Sequence, residues 1–61
     1  MNFIIVPTDA GNVIIDLYNV AVVLPGEKTT IELYKGADVV CNISVDSVDE
    51  LINQARSQAI T

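Results

Sequence analysis

The chain has 61 residues, of which 51% are hydrophobic and only 18% charged, and Lys28, Lys35 and Arg56 face eight acidic side chains for a net charge of -5. A domain this short hides only roughly 60% of the surface its unfolded form exposes, and with Cys41 as the single cysteine and no histidine, a disulfide framework and the usual zinc ligand sets are both excluded. Oligomerisation is the supplement left to so small a core, and the acidic balance argues against a conventional nucleic-acid-coating protein, leaving only a local basic ring open.

The N-terminal stretch MNFIIVPTDAG has neither the basic start nor the long apolar run of a secretory signal. The longest apolar runs, Phe3 to Val6 and Val20 to Leu24, fall far short of the roughly 18 residues of a membrane span. The expectation is a soluble, cytoplasmic protein, in the host cytoplasm if the source is viral, with no membrane partner. An unpaired, buried Cys41 suits such a reducing compartment.

Turn residues then punctuate the chain at short intervals: PTDAGN (7–12), YN (18–19), LPGEK (24–28) and KGAD (35–38). They separate five runs rich in Val, Ile, Leu and Thr, which predicts antiparallel strands at about 2–7, 12–17, 19–24, 29–34 and 38–44. Pro25-Gly26 fits the centre of a type II turn, with glycine at positive φ, so the third and fourth strands form a hairpin. In TTIELY, Ile31 and Leu33 alternate with Thr30, Glu32 and Tyr34, the pattern of a strand buried on one face. In VVCNISV, Val39, Cys41, Ile43 and Val45 share one side. NFIIV, NVII and VAVVL are apolar on both faces, more than a two-layer domain of this size can bury, and a curled sheet with a subunit interface resolves the excess.

From Asp46 the period changes. Val48, Leu51, Ile52 and Ala55 recur at i, i+3, i+4 and i+7, which predicts a helix at about 47–58 with one narrow apolar stripe laid over one face or mouth of the sheet. Ser47 and Glu50 read as its capping box, Asp46 and Asp49 suit its positive end and Arg56 the other. The fold class is mainly β: one domain over residues 1–61, a small five-stranded bent antiparallel sheet or open barrel with one C-terminal helix.

Without histidine, acid-base chemistry would rest on carboxylates, lysines or tyrosines. Most carboxylates sit in turns or on the polar helix face, DSVDE lacks the ligand alternation and glycine of a calcium loop, and no glycine cluster cradles a phosphate. Cys41 lies between Val40 and Asn42 and reads as a small core residue rather than a reactive thiol. No enzyme activity, metal or cofactor is expected. The competing enzyme reading needs Asp16, Tyr34 and Lys35 within hydrogen-bond reach of one another.

The segment KGADVV is similar to the Arg-Gly-x-x-Val element that joins the last two strands of the Sm and Sm-like proteins, with Lys35-Gly36 for Arg-Gly and Val39 for the valine. Gly11, Asp16 and Asn19 follow the glycine, aspartate, asparagine order of that family's first motif, with an Asp-to-Asn gap one residue shorter. Over residues 10–44 the chain thus resembles the Sm-like small barrels, of the kind suspected in marine phages. It departs from them in lacking the N-terminal helix, in adding a C-terminal one and in placing lysine, a point charge without a planar fork, where they have arginine.

The resemblance implies a ring-shaped homo-oligomer that binds single-stranded RNA or DNA weakly at its pore. Lys35 and Gly36 would meet phosphate or base, Asn19 would supply amide hydrogen bonds beside Asp16, and Tyr18 or Tyr34 would stack. The plain alternative is a hairpin with Gly36 at positive φ and Lys35 in solvent, in a structural or protein-interaction oligomer that binds no nucleic acid. The short flagellar regulatory proteins share the layout of strands followed by an acidic-capped helix.

Overall fold

A computed structural model describes residues 2–59. Strands β1 (Phe3–Thr8) and β2 (Gly11–Asp16) form one antiparallel hairpin; a 3-10 turn at Leu17–Asn19 leads to β3 (Val20–Leu24), β4 (Thr29–Leu33) and β5 (Val39–Cys41), and helix α1 spans Val45–Ala59. The expected five strands and terminal helix are present, but the strands form two sheets. One holds β1 and β2, the other β3, β4 and β5 in that order, so neither a single five-stranded sheet nor a closed barrel describes them.

The division begins where the chain leaves β2. Asp16 caps the 3-10 turn by accepting the Tyr18 amide at 2.9 Å, a local bond that competes with strand extension. Leu17, instead of ending β2, is buried inside the turn, and Asn19 falls outside β3. The two sheets meet along β1 and β5, where the Asn42 amide donates to the Pro7 carbonyl at 2.8 Å.

Alternation sets the core. Register pairs Ile4 with Ile15 and Val6 with Val13 on the inner face of the hairpin, while Ile5 pairs with Ile14 on the outer face. Ile31 and Cys41 of the second sheet are fully buried and share one core with Val48 and Ala55 of α1, with Leu51 and Ile52 half-buried alongside. The helix stripe read from the sequence is thus the face that covers the core. It packs against β1 and β3.

Three local expectations are corrected. The third and fourth strands do pair as a hairpin, yet Gly26 is not at positive φ; the loop from Pro25 to Lys28 is long enough to turn without it. The fifth strand is three residues long rather than seven, because Asn42 and Ile43 bend away to deliver Ser44 to the start of α1. Ser44, not Ser47, is the cap: its Oγ accepts the Ser47 amide at 3.1 Å and its carbonyl accepts the Val48 amide at 3.0 Å.

Candidate binding surface

Two loops distant in sequence meet at one end of the molecule. The first runs from β2 through the 3-10 turn, and the second joins β4 to β5. Asn19 Oδ1 accepts the Lys35 amide and Asn19 Nδ2 donates to the Lys35 carbonyl, both at 2.9 Å. The Asn19 carbonyl also accepts the Tyr34 amide at 3.0 Å. Gly36, at φ 107°, then turns the chain toward β5, a conformation that glycine reaches without the Cβ penalty.

Asp16, Tyr18, Asn19, Tyr34 and Lys35 together line an open depression of about 480 Å³. Gly36 adjoins Lys35 at its edge. Tyr18 is 75% exposed and Tyr34 72% exposed, so two largely solvent-exposed aromatic side chains share the depression with the lysine. Among the described residues the Lys35 ammonium has no ion pair, since the one salt bridge lies elsewhere, between Lys28 and Asp9. Lys35 is the one cation lining the depression and Asp16 the one anion, which leaves it close to neutral.

The six residues singled out from the sequence are therefore neighbours, but their roles divide. Both polar ends of the Asn19 amide engage the Lys35 backbone, so Asn19 positions the loop. Asp16 holds the turn through the Tyr18 amide. Tyr18, Tyr34 and Lys35 are the side chains that face outward with contact capacity to spare. Asp16, Tyr34 and Lys35 share the depression without a hydrogen bond joining their side chains.

A second polar cluster, not singled out from the sequence, ties three loops together. Asp9, in the β1–β2 turn, accepts Lys28 Nζ at 2.6 Å and Asn42 Nδ2 at 3.1 Å. The hydrogen bond from Lys28, then that from Asn42, and then the lysine charge hold the Asp9 carboxyl below the ordinary aspartate range. No local spacing announces this cluster, because Asp9 and Asn42 are 33 residues apart. Lys28 and Asn42 border an open depression of about 560 Å³, and Cys41 reaches it from below. The Cys41 thiol is fully buried and points to the Ile43 carbonyl at 3.8 Å, an inert setting rather than an activating one.

Among the described residues, no group of three or more acidic or cysteine side chains is placed to hold a metal, and no helix is long and apolar enough to cross a membrane. Comparison with protein-family models, with curated proteins and with solved structures finds no match.

Proposed function

We propose that this chain is a non-enzymatic interaction module that works as a homo-oligomer. One observation carries the reading: both sheets turn apolar side chains outward, Phe3, Ile5 and Ile14 on the hairpin and Val22, Leu24 and Val40 on the three-stranded sheet. Contiguous apolar surface of this kind marks interaction sites in small soluble domains, and self-association is the supplement a core of this size needs. A net charge of -5 keeps the assembled particle in solution. Sedimentation velocity from low to high micromolar concentration tests the reading. Concentration-dependent assembly is expected; a monomer at every concentration rejects it.

A second reading is favoured by the convergence of Tyr18, Tyr34 and Lys35 on one depression. It is the Sm-like one: a ring of these chains that binds single-stranded RNA or DNA weakly, with tyrosines stacking bases and Lys35 meeting phosphate. Base stacking on an aromatic side chain contributes about 1–3 kcal/mol, whereas one cation per chain on an acidic body gives little electrostatic attraction and a shallow salt dependence. Magnitude therefore places it second. Fluorescence anisotropy with oligo-U and oligo-A at low salt decides it, using the wild type, Lys35→Glu and Tyr34→Ala. Binding that both substitutions weaken supports this reading, and absent or unchanged binding removes it.

A further inference from the structure

The geometry points to the free edge of β2 as the surface on which a second copy of this chain docks, antiparallel and with Ile14 on the twofold axis. The inference rests on the self-association reading and specifies its interface.

In an antiparallel pair, backbone polar groups point alternately toward the partner strand and away from it. Pro7, opposite Asn12, sends its carbonyl away from β2 to accept the Asn42 amide. The Pro7–Asn12 pair is thus a non-hydrogen-bonded one, and alternation makes Ile5–Ile14 and Phe3–Asp16 the others. Asn12 and Ile14 consequently aim their amides and carbonyls, and Asp16 its amide, outward along an edge that pairs with no strand among the described residues; the Asp16 carbonyl, as the cap of the 3-10 turn, is taken by the first bond of that turn.

The molecule treats its two outer edges differently. The other one, β3, carries a register shift between Val20 and Val22, and such a bulge blunts an edge against pairing. Strand β2 has no bulge, proline or lysine, and its central outward side chain, Ile14, is 67% exposed. A ring of three or more chains joined by strand pairing needs two different complementary edges. With one edge blunted and one open, the symmetry that remains is twofold, β2 on β2.

Register follows from side-chain and backbone complementarity. With Ile14 opposite the partner's Ile14, the two residues exchange both their outward amides and carbonyls, and Asn12 lies opposite the partner's Asp16, whose amide the Asn12 carbonyl accepts. Ile14 and Ile5 then extend across the axis into the partner's matching pair, an apolar row running through both hairpins. The carboxylate of Asp16 faces an amide instead of another carboxylate. A parallel arrangement would stack Asp16 on Asp16, which like-charge cross-strand pairing disfavours.

Two variants separate the edge from the bulk apolar surface. Ile14→Pro removes an N–H that no strand among the described residues uses, in the same kind of position that Pro7 already occupies on β1. Asn12→Asp keeps the exposed strand intact but sets two pairs of carboxylates against each other across the axis. The full chain and both variants are compared by sedimentation equilibrium, with circular dichroism as a check on folding. The expected result is a wild-type dimer, a folded monomer for Ile14→Pro, and for Asn12→Asp a dimer dissociation constant raised by about tenfold at low salt and partly restored at high salt. If Ile14→Pro does not fold, Asn12→Asp alone decides. A wild type that assembles beyond a dimer, or a dimer that Asn12→Asp leaves unchanged, overturns the edge while self-association stands. A wild-type monomer overturns both.

Discussion

Asn19 and Lys35, sixteen residues apart, are joined by a two-pronged bond in which one side-chain amide takes both the N–H and the C=O of a single backbone residue. The arrangement locks the loop after β4 to the turn after β2, and so fixes the spacing between Tyr18 and Tyr34. A lysine in a glycine-containing loop would otherwise sample many conformations.

Replacing Asn19 by alanine removes both bonds at once. Each is solvent-exposed and therefore contributes at the low end of the usual range, so the expected loss is about 1 kcal/mol in urea unfolding. Hydrogen exchange at the Lys35 amide should accelerate well beyond what that global loss explains. Asn19→Asp should fare no better, since its second oxygen would face the Lys35 carbonyl without a proton to donate.

Gly36→Ala tests the other constraint on the same loop. A Cβ built on Gly36 meets only Leu33 Cδ1, at 3.8 Å, an ordinary contact. The cost is therefore conformational, about 1–2 kcal/mol for holding an L-residue at φ 107°. Gly11, at φ 112° with nothing within 4 Å, should show a similar cost on the same substitution, and a large difference between the two in thermal melts would contradict a purely backbone origin.

Helix initiation offers a third test. The pairing of Ser47 with Glu50 is a capping box in sequence, but the bond that closes the first turn is made by Ser44 Oγ. Ser44→Ala should cost about 1 kcal/mol, and Ser47→Ala should cost distinctly less, because it loses only the hydroxyl contact to Ser44 at 3.1 Å. Equal losses in chemical denaturation would count against Ser44 as the cap.

The contrast between Ser44 and Ser47 shows what was legible in the chain. Periodicity carried the strands, the buried Cys41 and the stripe of Val48 and Ala55, because burial on one face imprints a period on the sequence. Boundaries set by competing local bonds were not legible: Asp16 could extend a strand or cap a turn, and either serine could begin the helix. The six candidate site residues were brought into proximity by the Gly36 turn and the Asn19 amide, both readable as turn chemistry. What Asn19 would grip was not readable, since its partner is a backbone group that every residue possesses. The Asp9 cluster was equally silent, because long-range polar pairs leave no spacing behind.

That cluster makes stability depend on acid. Folding lowers the Asp9 carboxyl below its unfolded value through the hydrogen bonds from Lys28 and Asn42 and through the lysine charge. A carboxyl depressed in the folded state binds its proton more readily when unfolded, so protonation favours the unfolded chain. The stabilisation is complete above the unfolded value, about pH 4, and is lost as pH falls through the lower folded value. Asp9→Asn should therefore flatten the fall in melting temperature below about pH 4, while at neutral pH it lowers stability only slightly, because Asp9 and its lysine are exposed. Lys28→Met, which removes the leading cause, should raise the Asp9 titration midpoint toward the ordinary aspartate range, followed directly by carboxyl carbon shifts in NMR. A midpoint unmoved by Lys28→Met would show that the pairing of Asp9 with Lys28 does not govern this carboxylate in solution.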